Sequence, residues 1–413
     1  MSDIADPGLA EAGRARIEWA DAQMPVLAAL RERFAAERPL EGLPVAACLH
    51  VTAETANLVR VLVAGGAQVS LCAANPLATR DDVAAALAEM DGVEVFARHG
   101  EDMDAYAQHI ADVLERAPKV TIDDGADLLV TLHGARPDLL DGLLGGTEET
   151  TSGLVRLRAM EAEGRLRCPV LAVNEARVER VFNDHYGTGQ STLDGILRAT
   201  NLLLAGRTVV VLGYGPTGRG IALRARGAGS QVIVCEVDPV AALDARMEGF
   251  EVLPALKAAE RGDVFITVTG APGVLREEHF AVMKDGAVLA NAGHFDVEID
   301  LEALRRLGGE PRHVRPLVEQ YVLPDGRRLN LLASGRVVNL AAGEGHPASV
   351  MDLSFGLQAL SVAYLASEPE LENGVQPVPD AIDREIARLK LASLGVELDE
   401  LTEAQERYLS RWE

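Results

Sequence analysis

Residues Arg207 to Glu236 read RTVVVLGYGPTGRGIALRARGAGSQVIVCE, and no other stretch restricts the fold so tightly. The β-branched apolar run from Arg207 to Leu212 predicts a buried strand, Ile221 to Ala228 a helix, and Gln231 to Glu236 a second strand. Between strand and helix, Gly213-Tyr214-Gly215-Pro216-Thr217-Gly218 fits G-x-G-x-x-G. In such a loop the first glycine permits the tight turn, the second lets backbone approach a pyrophosphate, and the third lets helix and strand pack closely. Phosphates then meet free N–H groups at the helix N-terminus. Glu236 ends the second strand about twenty residues on, where a carboxylate accepts from both ribose hydroxyls and repels a 2′-phosphate. The module predicts a dinucleotide site that favours NAD over NADP.

The rest of the chain alternates in the same way. Residues 1–40 carry helical spacing at Ile17, Ala20, Met24, Leu27 and Leu30. Strands are expected at Pro44–Leu49, Val69–Ala73, Val93–Ala97 and Leu128–Leu132, with helices at Ala53–Ala64, Arg80–Met90 and Tyr106–Arg116. A helix from Ser191 to Leu204 leads into the glycine module. Beyond it come a helix at Val240–Glu248, strands at Val264–Val268 and Ala287–Asn291, and an apolar-striped helix over 347–365 expected to pack back on the first half. A last capped helix is expected from Asp380 to Leu394. Repeated βα units imply parallel sheets covered on both faces. The expected class is α/β: two doubly wound parallel-sheet domains joined by a hinge, one of them a Rossmann NAD-binding domain. Residues 1–189, completed by 347–395, would form the substrate-binding domain, 190–346 the NAD-binding domain and 396–413 a short tail.

Composition removes several alternatives. A formal net charge of −24 over 413 residues argues against nucleic acid or an anionic membrane surface as partner. The sequence has no signal-like N-terminus and no uninterrupted apolar run long enough to span a bilayer. Cys48, Cys72, Cys168 and Cys235 lack paired or metal-ligand spacing, and the histidines form no H-x-x-x-H pair. Reduced thiols in a cytoplasm and no metal are the expectation.

Ligands in open α/β sheets bind beyond the carboxyl ends of strands. Three polar sets fall there in the first half: His50, Thr52, Glu54 and Thr55; Asp123, Asp124 and Asp127; Glu148, Glu149, Thr150 and Thr151. The segments that carry them make the chain recognisable. CLHVTAETANL, NPLATRDDVAAAL, TIDDGADL, TEETTSG, YGTGQSTLDGI, VLGYGPTGRG, NAGHFDVEID and NLAAGEGHPASVM resemble, in the same order, motifs of the S-adenosylhomocysteine hydrolase family. YGTGQST and the ending LTEAQERYLSRWE are similar to the shorter archaeal-type members. The resemblance implies bound NAD, oxidation at the ribose 3′-carbon, loss of the acidified 4′-proton and elimination of the 5′-substituent, with the hydride later returned. It also implies a homotetramer and an adenine nucleoside or S-adenosylhomocysteine-like substrate. By the same resemblance His50 and Asp124 match acid/base residues, and Glu149 the carboxylate on the ribose hydroxyls. Thr52, Glu54 and Thr55 lie in the motif that grips adenine and sugar. His294 matches a ribose-side histidine, and His346 the interdomain gate. Thr150, Thr151, Thr269 and Asn339 match cofactor contacts, beside Gly213, Gly215, Thr217, Gly218 and Glu236.

One segment departs from the family. Where the family carries a lysine and, further on, Phe-Asp-Asn, this chain reads Glu179-Arg180-Val181-Phe182-Asn183-Asp184. The lysine and aspartate that handle the 3′-hydroxyl proton are matched by Glu179 and Asn183, with Asp184 at the asparagine position. A carboxylate accepts a proton but cannot steady an alkoxide as an ammonium does. Ala78 and Arg80 likewise replace the usual serine and glutamine beside the amino-acid tail. Three readings follow: an altered elimination such as a nucleoside dehydratase, ordinary hydrolysis of S-adenosylhomocysteine to adenosine and homocysteine, or a silent NAD- and nucleoside-binding paralogue.

Overall fold

A computed structural model describes residues 2–293, 296–368 and 370–411. Its strands, in chain order, are β1 (Asp3–Ile4), β2 (Pro44–Leu49), β3 (Gln68–Ala73), β4 (Val93–Ala97), β5 (Val120–Asp123), β6 (Gly145–Glu148), β7 (Pro169–Ala172), β8 (Thr208–Leu212), β9 (Gln231–Cys235), β10 (Glu251–Val252), β11 (Val264–Thr267), β12 (Ala287–Asn291), β13 (Arg312–Arg315), β14 (Val318–Val322), β15 (Arg328–Leu332) and β16 (Gly374–Pro377). They form two sheets, ordered β1-β4-β3-β2-β5-β6-β7-β16 and β10-β9-β8-β11-β12-β15-β14-β13. The first is wholly parallel, and the second ends in the antiparallel edge β15-β14-β13. Successive strand residues feed opposite faces. Val45, Ala47 and Leu49 join one apolar cluster while Ala46 and Cys48 join another, and Val209/Val211 and Val210/Leu212 divide likewise in the second sheet.

Strand order reverses twice, and both reversals matter. In the first sheet β3 and β4 lie to one side of β2 while β5 and β6 lie to the other. In the second, β9 and β10 lie to one side of β8 and β11 to the other. At such switch points neighbouring loops diverge and leave a crevice beyond the strand ends. His50 and Asp124 follow β2 and β5, and Gly213 and Thr269 lie just beyond β8 and β11.

The expected strand at Leu128–Leu132 is instead part of the helix Asp127–Gly134, and the sheet takes Val120–Asp123. A short apolar run does not by itself separate buried strand from buried helix. The deciding group is Asp123, whose carboxylate accepts the N–H groups of Leu128 and Leu129 at 3.0 Å each and so starts the helix. β6 was hidden by its Gly145-Gly146 start. A Cβ on Gly146 would lie 2.5 Å from the Thr121 hydroxyl, so close strand approach requires the glycine. The Ser191–Leu204 helix runs instead over Thr188–Thr200 and stops at Asn201 in the left-handed region.

The helix Ala348–Ala366 packs against Pro25–Glu37, Ala53–Ala64 and Asp380–Ser393, so it does return to the first sheet. It is long and apolar enough to cross a membrane by length and composition, but most of it is buried inside the protein. Fully buried Asp352 explains its docking. The carboxylate accepts from the Val26 and Leu27 N–H groups at 3.2 and 2.9 Å and pairs with Lys390 at 2.9 Å. One side chain thus caps one helix and holds another. Asp352→Ala leaves two donors and an ammonium without their partner, and we expect it to cost about 3–5 kcal/mol in urea unfolding.

Candidate active site

At the first switch point His50 Nε2 lies 3.3 Å from Asp124 Oδ2. The pairing follows from register: Cys48 of β2 stands beside Asp123 of β5, so the residues that follow emerge together. The Thr55 hydroxyl donates to the His50 carbonyl and holds the loop from below. Thr55 is buried and supports His50 through this bond. Thr52 caps the helix Ala53–Ala64. Thr52, Glu54, Arg80 and His346 line a cavity of about 620 Å³ that also meets the helix Thr188–Thr200. Burial raises the Glu54 carboxyl above its ordinary range. His346 lies 3.0 Å from the Thr188 hydroxyl, and desolvation, with His50 close by, lowers its imidazole to about 4.

Asp123 and Glu148 support these loops from beneath. Glu148 Oε1 accepts from Gly125 N–H at 2.9 Å and Thr150 N–H at 3.0 Å, tying the loop that bears Asp124 to the one that bears Glu149. Burial pushes Asp123 up to about 7 and Glu148 well above the usual carboxylate range.

Glu149 points into a buried acidic cluster. It accepts from the Ser354 hydroxyl and the Gln358 amide, one turn apart on the helix Ala348–Ala366. Desolvation, against those two bonds, pushes it up to about 7, with Asp124 and Asp184 adding repulsion. Glu179 is 1% exposed, and neither oxygen receives a well-formed hydrogen bond. Its carboxyl is raised well above the ordinary range, first by desolvation and then by Glu149; Ser354 and Asn183 nearby offset this only in part. Asp184 is raised to about 6 by burial. The segment Arg180–Gly187 is wound as a π-helix, a form that recurs at functional sites. It turns Asp184 toward Glu149, while Asn183 contacts the Met351 sulfur at 3.9 Å. Arg180 is exposed and pairs with Glu175 at 3.5 Å, so it does not replace the missing buried cation. Asp383 fixes the segment's entry by accepting from Val178 N–H at 3.0 Å.

The second switch point fits a dinucleotide. A Cβ on Gly218 would lie 2.0 Å from the Gly213 carbonyl, whereas one on Gly215 would meet nothing within 4 Å. One glycine therefore permits close packing and the other leaves open approach for a ligand. The helix Pro216–Gly227 has no side-chain cap, so its first N–H groups stay free around Thr217. Glu236 accepts from Tyr214, Val237 and Asp238 N–H groups at 2.6 to 2.9 Å, which fixes the carboxylate at the loop's edge. Asn339 is buried, with Oδ1 unpartnered and Nδ2 3.4 Å from Ser191. Thr151 bonds Asn174 at 2.8 Å, and Thr150 heads its helix. Thr269 gives its N–H and hydroxyl to Glu298 at 2.9 and 3.0 Å. His294 lies outside the described residues. Ser354, Gln358, Glu298 and Asp383 escaped the sequence reading. For Ser354 and Gln358 the signal was polar residues inside an otherwise apolar helix, as at 352, 354 and 358; Glu298 and Asp383 carried none.

Fold and site together define a dinucleotide-dependent α/β enzyme with a buried acid/base cleft. The model for the S-adenosyl-L-homocysteine hydrolase NAD-binding domain matches residues 184–345, and the S-adenosyl-L-homocysteine hydrolase model matches residues 2–141. An adenosylhomocysteinase of Aquifex aeolicus is 58% identical over all of this chain and 99% of its own. The S-inosyl-L-homocysteine hydrolase of Methanopyrus kandleri is 56% identical over 99% of this chain and 97% of its own. The solved dipicolinate synthase A chain of Bacillus subtilis, at 14% identity, covers 80% of this chain and 99% of its own with a TM-score of 0.51, a likeness of fold alone. The chain belongs to the S-adenosyl-L-homocysteine hydrolase family, and its cofactor is NAD.

Two outcomes follow. Gly218→Ala drives a methyl into the Gly213 carbonyl, so the purified variant should carry less NAD than the parent, read by mass spectrometry after denaturation. The raised carboxyls also predict a pH dependence. A carboxyl held above its free value stabilises the fold at low pH and loses that contribution as pH rises through the raised value. His346, held low, acts in the opposite sense and only below about pH 6.5, where the free imidazole begins to charge. Between about pH 6.5 and 8 the carboxylates dominate, so the melting temperature should fall with pH and Glu179→Gln should flatten that fall.

Proposed function

We propose that this enzyme oxidises the 3′-hydroxyl of a purine nucleoside transiently, eliminates the 5′-substituent, and in its leading reading acts on an S-nucleosylhomocysteine thioether. The names of its relatives support the thioether and leave adenine or hypoxanthine as the base. The observation that carries the chemistry is the His50–Asp124 pair at one switch point, beside the Glu149–Glu179–Asp184 cluster and within the same molecule as the dinucleotide loop. When bound, NAD supplies the acceptor, and later the donor, of a hydride at the 3′-carbon.

The chain's own residues move the protons. Glu149, anchored by Ser354 and Gln358, orients the ribose hydroxyls. Glu179 accepts the 3′-hydroxyl proton. A base whose proton affinity is raised by burial is a stronger acceptor than an ordinary carboxylate, and this compensates in part for the lysine of the family. Once the 3′-carbon is a ketone, the His50–Asp124 pair takes the 4′-proton, protonates the leaving group and then handles the water that adds. The Gly213–Gly218 loop and Glu236 hold the dinucleotide, and Asn339 offers a buried carbonyl to a cofactor amide.

A second reading, loss of water from a nucleoside, is favoured by the reversal of charge at Glu179 and by Arg80 at the cavity. Arg80 is engaged by Glu344 at 2.8 Å, which narrows the space for an amino-acid tail. Purified holoprotein should release homocysteine from S-adenosylhomocysteine or S-inosylhomocysteine while nicotinamide absorbance rises and falls. Water loss from a nucleoside without thiol release would establish the second reading instead. No nicotinamide reduction with any nucleoside would sink both. Glu179→Gln should lower the rate of nicotinamide reduction by about 100-fold or more, since an amide cannot accept the proton.

A further inference from the structure

When its carboxyls are ionised, the acidic cluster has more acceptors than donors. Both oxygens of Glu179 and Oε1 of Gln358 are buried without a well-formed hydrogen bond, and Glu149 already takes the Ser354 hydroxyl and the Gln358 amide. Asp184 adds a further carboxylate near Glu149. The charge acting on Asp184 from the basic side is that of Arg180, which stays exposed and is paired with Glu175. Buried acceptors with no donor carry a desolvation cost that a ligand of the right chemistry would relieve. A metal ion would need oxygens drawn together at coordination distance. Among the described residues no three His, Cys, Asp or Glu side chains are so arranged. The oxygens instead suit a compact cation that reaches them through several hydrogen bonds. An ammonium has three N–H donors and no acceptor, the complement of what the cluster lacks.

We propose that Glu179, with Glu149 and Asp184, forms an ammonium-binding subsite that selects purine nucleosides bearing a protonated amino group at the ribose 3′-position. This rests on the reading above, which sets the ribose between Glu149 and Glu179. A 3′-hydroxyl offers one donor to this cluster and brings two lone pairs toward carboxylates. A 3′-ammonium offers three donors, and charge-assisted bonds to carboxylate are roughly twice as strong as neutral ones.

Calorimetric titration of the NAD-loaded protein with adenosine and with 3′-amino-3′-deoxyadenosine, at a pH where the amine is protonated, tests this. The amine should bind about tenfold tighter or more. Glu179→Gln should remove that preference, with a thermal melt confirming that the variant is folded. Equal or weaker binding of the amine to the parent protein overturns the subsite while leaving the nucleoside reading intact. A preference that survives Glu179→Gln overturns the assignment to Glu179. A preference that vanishes when potassium chloride replaces tetramethylammonium chloride assigns the cluster to an inorganic cation. Failure of both nucleosides to bind overturns the subsite together with the reading on which it rests.

Discussion

Taking carboxylates out of water is the constraint around which this structure is arranged. An ionised carboxylate in the interior needs donors or a counter-charge, and otherwise holds its proton. Elsewhere in the chain the fold supplies the donors. Asp123 receives two helix N–H groups, Glu148 two loop N–H groups, Glu298 the Thr269 and Gly270 amides, and Asp352 two N–H groups and Lys390. Each of these acids closes a loop or docks a helix. Glu179 stands apart, since it is as deeply buried as they are and receives no comparable bond. A structural acid would have drawn a backbone donor toward it. No backbone donor reaches it, which sets it apart from the acids that hold the fold together.

Besides the Arg80–Glu344 pair, the two halves meet through closely approaching backbone. A Cβ on Gly220 would lie 1.9 Å from the His185 carbonyl, and one on Gly189 would lie 2.7 Å from Gly220. The helix that begins at the dinucleotide loop therefore presses directly on the segment that carries Glu179, Asn183 and Asp184. Interiors packed this closely transmit small shifts instead of absorbing them. Filling the dinucleotide loop would accordingly bear on the acidic cluster through two glycine contacts. The helix Ala348–Ala366 acts from the other side, because the element that Asp352 docks against the first sheet also presents Ser354 and Gln358 to Glu149.

Much of this was legible in the sequence, in proportion to how local each cause is. The glycine loop, its flanking strands and Glu236 are set by contacts within about thirty residues, the span of a βαβ unit, and they fall where periodicity and turn chemistry place them. The family motifs likewise brought His50, Asp124 and Glu149 to one edge. The strand placed at Leu128–Leu132 shows the limit, since helix and strand were separated there by a side chain five residues upstream capping two amides. The short β6, β7 and β16 depend on neighbours far along the chain and are too brief to show a period, whereas β15 does alternate, Arg328-Leu329-Asn330-Leu331. Ser354, Gln358 and Asp383 were illegible for the same reason, because their partners lie roughly two hundred residues away.

Identity above half across nearly the whole length fixes the fold and the cofactor more firmly than it fixes the chemistry at one carbon. Glu179 places a proton acceptor where the resemblance implies a lysine. An ammonium can steady a developing alkoxide electrostatically, whereas a carboxylate can assist only by removing the proton outright. The second route works best when the group's proton affinity lies close to that demanded by the working pH, and burial moves Glu179 in that direction. Glu149 and Asp184, which share the cluster and are raised to about 7 and about 6, keep the proton count there adjustable near neutrality. On the proposed reading the exchange of charge does not by itself silence the site: proton acceptance takes the place of electrostatic stabilisation of an anion, and turnover would depend on the balance among three carboxyls.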